Sequence, residues 1–560
     1  MVTAGNPLPE NFKKFNIPSL GENVFVFDPS MDMKDIQTVI DTIFTRQSAR
    51  RSEFSTNRYA LLFKPGKYDL DIKVEYYMQI LGLGESPDDV VINGAVRSNT
   101  LHRKSVLVNF WRSVENLTVI PPADSVMVWG VSQAAPMRRV HIKGNLQLFD
   151  KGYASGGFLA DSKVDGVITS GPQQQWFTRN TDMGQWIGGN WNMMFVGVNG
   201  APAENWPELP YTTIDVTPFV REKPFLAFNG NGFEIRMPQI KRNSTGPDWV
   251  NGNNPEKILS IDKFYIARPG IDNAASMNSA LKKGKHLLIT PGRYLLNESL
   301  KVTKKGSVVM GIGLATLIPE NGNAAMEISD VDGVTVCGLT IDAGKVFSEK
   351  LFEVGKPGSP KPHTANPVFL YDIFFRVGGP AEGSVRSCMI INSRDVVVDH
   401  IWLWRADHGN GVGWDKNRAA NGLIVNGDNV TIYGLFNEHF QEYQTLWNGN
   451  NGRVYFYQSE MPYDPPAVEA WKHDGIYGYA SYKVADHVKS HEAWGIGIYN
   501  VFYDAPVIVD NAIETPAHLE DKIHNKIIFW LNGNKESIVK SIINGKGGPV
   551  NVTTRKATMK

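Results

Sequence analysis

Two ten-residue segments of the chain have nearly the same sequence. Leu61 to Leu70 reads LLFKPGKYDL, and Leu287 to Leu296, 226 residues later, reads LLITPGRYLL. A stretch with helical periodicity precedes each copy (DIQTVIDTIF and AASMNSALKK), and a glycine turn (GLG and GIG) follows each. Self-similarity at a fixed separation indicates one architecture used twice. We therefore predict two halves, residues 20–255 and 256–550, each a helix, a strand with a Pro-Gly turn and then stacked short strands.

The remainder of each half consists of short apolar runs divided by Gly, Asn and Asp. Examples are DGVTVCGLTIDAG, RDVVVDHIWLWRA and DNVTIYGLFNEHF. Runs that are β-branched and only partly alternating are typical of parallel strands buried on one face. The pattern predicts an all-β fold of two tandem right-handed parallel β-helices. A propeller or a sandwich is the competing architecture, but propeller blades of about 40–45 residues contain hairpins, and few Asn-Gly hairpin signals occur here.

Two glutamates, Glu438 and Glu460, are separated by 22 residues. One coil of a parallel β-helix takes roughly 20–25 residues, and neighbouring coils lie about 4.8 Å apart. The two carboxylates are therefore predicted on neighbouring rungs of one face, with Glu460 about two residues out of register. A carboxylate pair on a rigid aromatic wall suits glycoside hydrolysis, which needs one acid and one base. The alternative is that both are solvated surface groups.

Aromatic and polar residues are dense around this pair. Aligning DVVVDHIWLWRADH on DNVTIYGLFNEHF places Trp404 level with Glu438 on the adjacent coil. Tryptophan faces stack on sugars, and carboxylates and amides bind their hydroxyls. The alternative for such residues is an aromatic and amide ladder inside a solenoid. The predicted substrate-binding residues are Trp191, Trp404, Asp407, His408, Tyr443, Gln444, Trp447 and Gln458.

Composition limits the class of ligand. Lys+Arg and Asp+Glu are both 57, so the formal net charge is zero. Without a global basic field, nucleic acid and anionic membrane are not expected partners. A neutral oligo- or polysaccharide fits this balance, and nothing in the sequence indicates a partner subunit, so we expect a monomer.

The two cysteines, Cys337 and Cys388, exclude a disulfide scaffold but leave one bridge possible. No Cys/His spacing typical of zinc is present, and we expect no metal and no cofactor. No run of about 18 apolar residues indicates a membrane span. The first residues, MVTAGNPLPENF, show no leader pattern. We nevertheless expect a secreted protein, with a cytoplasmic one as the alternative.

The segments EHFQEYQ and YQSEMPYDPP resemble the catalytic region of glycoside hydrolase family 55, the β-1,3-glucanases. The resemblance implies two tandem pectin-lyase-like β-helices side by side and an inverting mechanism. It implies that Glu460 is the general acid and that Glu438 helps to position or activate the nucleophilic water. Tyr463, three residues beyond the acid, matches a family tyrosine.

In the first half, SGGFLAD and QQQWFTRN resemble segments beside the family's water-binding glutamine. Gln174 is the best match for that glutamine, and Gln175 is the next. A serine that helps to hold the water in the family has no clear counterpart in IGGNWNMMFVGV. The chain therefore resembles a divergent relative.

Two other functions are compatible with a β-helix. A polysaccharide lyase needs an acidic calcium site and a basic catalytic residue, and Asp399, His400, Asp407, His408 and Asp415 are its candidates. The strands beside them are not acidic ladders. A non-catalytic carbohydrate-binding adhesin is the third reading, favoured by the many aromatics and the unmatched serine.

Overall fold

The protein folds into two stacks of parallel strands that lie side by side. The structure, a computed structural model, describes residues 8–49, 52–252, 255, 257–359 and 361–560. The stacked strands of the first half lie between Val24 and Ile214, and those of the second between Phe264 and Met559. The predicted all-β fold of parallel β-helices is confirmed.

The strands of the first half and of the segment that follows it are β1 (Val24–Phe27), β2 (Tyr59–Phe63), β3 (Gly66–Lys73), β4 (Met78–Gly82), β5 (Val90–Arg97), β6 (Ser113–Ile120), β7 (Val126–Val128), β8 (Met137–Ile142), β9 (Asn145–Gln147), β10 (Phe158–Ala160), β11 (Lys163–Thr169), β12 (Gln175–Arg179), β13 (Asp182–Ile187), β14 (Asn192–Val196), β15 (Tyr211–Ile214), β16 (Thr217–Arg221), β17 (Phe225–Phe228), β18 (Phe233–Met237), β19 (Ile240–Ser244) and β20 (Lys257–Ser260).

The strands of the second half are β21 (Phe264–Ala267), β22 (His286–Ile289), β23 (Arg293–Leu296), β24 (Leu300–Val302), β25 (Val308–Gly311), β26 (Thr316–Pro319), β27 (Met326–Ile328), β28 (Thr335–Asp342), β29 (Ser348–Val354), β30 (Val368–Val377), β31 (Val385–Ile391), β32 (Val396–Arg405), β33 (Ala419–Val425), β34 (Thr431–Glu438), β35 (Thr445–Trp447), β36 (Gly452–Glu460), β37 (Lys472–His473), β38 (Ile476–Tyr477), β39 (Tyr482–Val484), β40 (His491–Phe502), β41 (Ile508–Glu514), β42 (Ile523–Gly533), β43 (Ile538–Ile543) and β44 (Lys556–Met559).

One α-helix begins each half at the predicted place. α1 (Met33–Gln47) connects the parallel pair β1 and β2, and α2 (Ala274–Lys282) connects the parallel pair β21 and β22. Their starts are capped, because the side chains of Asp32 and Asn273 accept hydrogen bonds from backbone N–H groups of the first turn. Short 3₁₀ helices occur at Glu10–Phe15, Pro18–Leu20, Ser52–Phe54, Pro87–Asp89, Ile261–Lys263, Val468–Ala470 and Ala517–Lys522.

Each coil of the second half contributes one strand to each of two long sheets. One sheet runs β21-β22-β25-β28-β30-β32-β34-β36-β40-β42-β44, and the other runs β24-β27-β29-β31-β33-β35-β39-β41-β43. Neighbours are parallel except for β44, which is antiparallel to β42. The apolar side chains between the two sheets form the core of this half. Position along the chain therefore translates directly into position along the stack.

The long strands of the second half bend at one shared level. Residues at that level have a positive φ, and pairing places them opposite one another from coil to coil. They are Gly338, Asp372, His400, Gly434, Phe456, Gly495 and Asn525. A left-handed backbone is rare for a residue as bulky as Phe456, so the stacking of the coils holds this conformation.

The two halves meet along a buried seam. Its apolar part joins residues from both halves, among them Trp111 and Phe158 of the first and Trp402, Phe436 and Phe456 of the second. The segment β16–β20 forms small antiparallel sheets, and β20 pairs with β18. The boundary between residues 255 and 256 remains a prediction.

The seam also contains a buried cluster of charges. Arg138 contacts Asp372 at 2.9 Å and Asp399 at 2.7 Å. Arg179 contacts Asp399 at 2.8 Å and Glu222 at 2.6 Å. Burial alone would raise the pKa of Asp372, but Arg138 and the buried Lys223 hold that pKa well below its usual value. Aspartates of the second half therefore form ion pairs with arginines of the first half across the seam.

Two further expectations can be compared with the structure. Cys337 and Cys388 are both buried and not bonded to each other, so the possible bridge does not form. In the described ranges, no helix is long and apolar enough to cross a membrane.

The charge cluster predicts a stability effect. Asp372→Asn leaves Arg138 and Lys223 short of a counter-charge in the seam, which we expect to cost about 3–5 kcal/mol and to lower the melting temperature clearly. Lys13→Ala breaks an exposed pair with Glu10 and should leave the melting temperature close to that of wild type, because exposed ion pairs contribute little to stability. Calorimetry of both variants tests this, and a wild-type melting temperature for Asp372→Asn would contradict it.

Candidate active site

The two predicted glutamates lie side by side at the ends of adjacent parallel strands. Pairing aligns Trp404 of β32 with Glu438 of β34, and Glu438 with Glu460 of β36. The predicted level of Trp404 is confirmed. The predicted two-residue offset of Glu460 is wrong, because β34 and β36 keep one register from Thr431 and Arg453 to their ends. The column continues through Tyr499 of β40.

Glu438 is buried, with 3% of its surface exposed, and both of its oxygens accept hydrogen bonds. Gln133 Nε2, from the first half, donates to Oε1 at 2.8 Å, and Trp402 Nε1 donates to Oε2 at 2.9 Å. Burial, and then the neighbouring charge of Glu460, raise the pKa of Glu438 to about 8. Glu438 is thus a rigidly held carboxyl group with increased affinity for a proton.

Glu460 is 9% exposed and has different neighbours. The Tyr463 hydroxyl donates to Oε2, and His439 Nε2 lies 3.5 Å from the same oxygen. The His439 ring packs against the Tyr463 ring with centroids 4.3 Å apart. Burial alone would lower the pKa of His439, but its contact with Glu460 and the charge of Asp407 raise it to about 9.

Gln458 connects the two carboxyl groups. It lies two residues before Glu460 on β36, opposite Phe436, and is fully buried. Its Nε2 lies 3.5 Å from Glu460 Oε1, and its amide also stabilises the ionised form of Glu438. The predicted site residues Glu438, Glu460, Tyr463 and Gln458 therefore lie together.

The glutamine that reaches Glu438 is Gln133, not Gln174. Gln174 immediately precedes β12, and its backbone pairs with Ala154 and Trp191. Gln175, the second sequence candidate, donates to the Ser155 carbonyl at 2.7 Å. Gln133 Nε2 contacts both Glu438 and Ser155 Oγ, the latter at 3.1 Å.

Ser155 lies at the site, although the sequence analysis found no counterpart there for the serine of the family. It lies at the start of the quoted SGGFLAD segment, and its backbone N–H donates to Ser132 Oγ at 2.9 Å. Gln133 and Ser155 thus form the first-half side of the site.

Asp407 and His408 form an ion-pair chain at the edge of the column. His408 contacts Asp407 Oδ1 at 2.8 Å and Glu53 Oε1, from the first half, at 2.7 Å. Burial opposes the protonation of His408, but these two contacts raise its pKa to about 10. Burial also opposes ionisation of Asp407, but His408 and His439 lower its pKa to about 2.

Three predicted sugar-binding residues lie in the interior instead. Trp404 is 1% exposed and stacks on Phe54, with centroids 6.3 Å apart. Trp447 is fully buried in the core of the second half, where its Nε1 donates to the Gly449 carbonyl. Gln444 closes a turn by exchanging hydrogen bonds with the Phe440 backbone. These three predictions of direct substrate contact are wrong as the residues are placed, because packing and turn formation occupy the side chains.

Tyr443 is half-buried on the opposite side of the coil. Its hydroxyl contacts His473 Nε2 at 2.9 Å, and its ring packs edge-on against Tyr479. None of the contacts described for Tyr443 involves Glu438 or Glu460.

Trp191 and Tyr503 line the other end of the column. Trp191, from the first half, stacks on Phe529 at 4.4 Å and packs against Tyr499 at 5.2 Å. Trp191 is partly exposed, as predicted for a sugar-binding residue. Tyr503, absent from the sequence prediction, is 58% exposed and packs edge-on against Tyr463. Its position in YNVFYD carries no distinguishing sequence signal.

The ion-pair chain predicts a pH-dependent stability. A raised histidine pKa stabilises the fold fully below the unfolded pKa of about 6.5, and this stabilisation is lost as the pH rises through about 10. His408→Gln should therefore lower the melting temperature most at acidic pH. The difference in melting temperature between variant and wild type should shrink as the pH rises above about 6.5. The exposed His518→Gln is the control. A deficit that does not change with pH would contradict the ion-pair chain.

Comparison with known proteins agrees with this geometry. Residues 264–460 match the LAM55 pectate lyase-like domain. The chain is 45% identical to the exo-beta-1,3-glucanase of Streptomyces sp. (strain SirexAA-E / ActE) over 540 residues, which are 96% of this chain and 88% of that protein.

Solved structures give the same result. The structure of sacteLam55A from Streptomyces sp. SirexAA-E has a TM-score of 0.93 and 44% identity, covering 96% of this chain and 98% of that one. A glutamate-to-alanine variant of sacteLam55A in complex with glucose matches equally well. The match extends over both halves and the seam between them, and the chain therefore belongs to glycoside hydrolase family 55.

Proposed function

We propose that the protein is an exo-acting glycoside hydrolase that cleaves β-1,3-glucan with inversion. The observation that carries the proposal is the pair of in-register carboxylates, Glu438 and Glu460, at the seam between the halves. The relative that is 45% identical is an exo-beta-1,3-glucanase, which supports the choice of linkage.

In the proposed reaction Glu460 protonates the glycosidic oxygen while water attacks the anomeric carbon from the opposite face. The attacking water loses its proton to Glu438, so each carboxyl group exchanges one proton. The two carboxyl groups turn toward different neighbours, Glu438 to Gln133 and Trp402, and Glu460 to Tyr463 and His439. This divergence supports inversion, which requires room for a water between sugar and base.

The roles follow from the hydrogen bonds on each carboxyl group. Glu438 accepts from two N–H donors that cannot accept a proton in return, so they favour its ionised form as the base. The raised pKa of Glu438 means that its ionised form binds a proton more strongly than an ordinary carboxylate does, as a base requires. Glu460 is the more exposed of the two and can meet the leaving oxygen.

Exo action is supported by the closed end of the column. Beyond Glu438 the next rung is Trp404, which is buried and stacks against Phe54 and Trp402. At the other end Trp191 and Tyr503 stay partly exposed. In this proposal a chain end enters from the more exposed side and does not pass the buried Trp404. Since the proposed substrate is a polymer, we also propose that the protein acts outside the cell.

Four of the five candidate residues of the lyase alternative, all except Asp415, are engaged in other contacts. Asp399 and His400 are buried in the charge cluster of the seam, with Asp399 bound by Arg138 and Arg179. Asp407 and His408 pair with each other and with Glu53. These side chains are therefore committed to structural ion pairs.

The general acid gives the first test. Wild type incubated with laminarin should release glucose, first as the α anomer in the proton NMR spectrum. Glu460→Gln should release it at least about 10³-fold more slowly, since an amide cannot donate the catalytic proton. Glu469→Gln, which removes an exposed carboxylate of the same segment, is the control. Full activity of Glu460→Gln, or a first product in the β form, would contradict the mechanism.

The glutamine assignment gives the second test. Gln133→Ala removes the contact that holds Glu438 from the first half, and we expect kcat for laminarin to fall about 10²-fold or more. Gln174→Ala should change kcat by less than about threefold, because no described side-chain contact joins Gln174 to Glu438. Steady-state kinetics of both variants decide which glutamine acts at the site. A larger loss of kcat in Gln174→Ala than in Gln133→Ala would support Gln174 instead.

A further inference from the structure

The outer surface of the second half carries a groove that the catalytic column does not use. It encloses about 390 Å³ and crosses four successive coils. Phe347 stands on the first coil, Arg386 on the second, Arg418 and Ala420 on the third, and Gln441 and Glu442 on the fourth. Three steps of about 4.8 Å give the groove a length of roughly 14 Å.

Small residues create the floor, and larger ones form the walls. Ala420 pairs with Arg386 in the register of β31 and β33, so the methyl group leaves room beside the guanidinium. Phe347 is 41% exposed and offers an apolar face at one end. An exposed aromatic face beside polar groups is the usual arrangement for binding a sugar ring and its hydroxyls.

The charged side chains of the groove are available to a ligand. Within the part of the chain that the structure describes, the side chains of Arg386 and Arg418 have neither an ion-pair nor a hydrogen-bond partner. A planar guanidinium directs several N–H donors in fixed directions, and Glu442 supplies an acceptor at the far end. Donors, acceptor and aromatic face together match a neutral polyhydroxylated chain.

The groove and the active site share one coil. Gln441 and Glu442 follow Glu438 by three and four residues on the same coil. The Gln441 side chain is fixed, because it donates to the Trp414 carbonyl at 2.7 Å and accepts from the Ala419 N–H at 3.0 Å. The fourth coil of the groove, which also carries Glu438, is thus held rigidly against the third coil.

From these observations we infer that this groove is a second binding site for β-1,3-glucan, which holds a distant stretch of polymer while a chain end occupies the cleft. The inference rests on the proposed glucan hydrolysis for the identity of the ligand. A polymer that is held at two places benefits from a high effective concentration of its chain ends, whereas an oligosaccharide too short to reach the groove does not.

The test separates binding from catalysis. Phe347→Ala, and separately Arg386→Ala/Arg418→Ala, are placed in a Glu460→Gln background that binds without turnover. Affinity electrophoresis in gels containing laminarin should show about five- to tenfold weaker retardation for each, in line with the loss of one stacking contact or of the paired donors. Leu295→Ala, an exposed apolar residue outside the groove, should behave like the background protein.

The same groove variants with Glu460 intact are then assayed on two substrates. We expect kcat/KM on laminarin to fall about five- to tenfold and kcat/KM on laminaritriose to stay within about twofold of wild type. Unchanged retardation, or an equal loss of kcat/KM on laminaritriose, would overturn the inference that the groove binds glucan. Wild type that hydrolyses neither substrate would instead overturn the proposed function, and retardation would still report on the groove.

Discussion

The charge cluster in the seam is the interaction on which the rest of this molecule depends. Two apolar faces of stacked strands could pack against each other in several registers, because coil follows coil at one spacing. Arg138 and Arg179 of the first half reach Asp372 and Asp399 of the second in a region closed to water. A shift by one coil would leave buried charges without partners, at a cost of several kcal/mol. The cluster therefore fixes one relative position of the two solenoids.

That position completes the active site. Gln133 lies five residues before Arg138 and contacts Glu438 across the seam. Ser155 holds Gln133 on one side, and Trp402 holds the other oxygen of Glu438. Neither half has the whole arrangement, since the carboxylates come from the second and the amide from the first. Stability of the seam and activity are thus linked through the placement of one side chain.

Sequence reasoning succeeded where the structure is periodic. The repeated segments gave both helices, and the separation of Glu438 and Glu460 placed them on neighbouring coils because a coil has a nearly constant length. It failed where contacts cross the seam. Gln133 and Glu438 are 305 residues apart, and the repeat that relates the two halves does not tell which of their side chains meet across the seam. It also failed for Trp404 and Trp447, since a tryptophan that packs a core and one that binds sugar have the same local pattern.

Stacked coils convert a short list of residues into a line of binding positions. The column Trp404, Glu438, Glu460 and Tyr499 contains a buried tryptophan, two carboxyl groups and a tyrosine at successive steps of about 4.8 Å. A glucan is itself a linear repeat, so a surface with one position per coil can follow it for several sugars. The groove from Phe347 to Glu442 has the same construction on the outer face. One such line ends at a buried tryptophan and the other lies open on the outer face, an arrangement that fits the proposed hydrolysis from one chain end and the inferred second binding site.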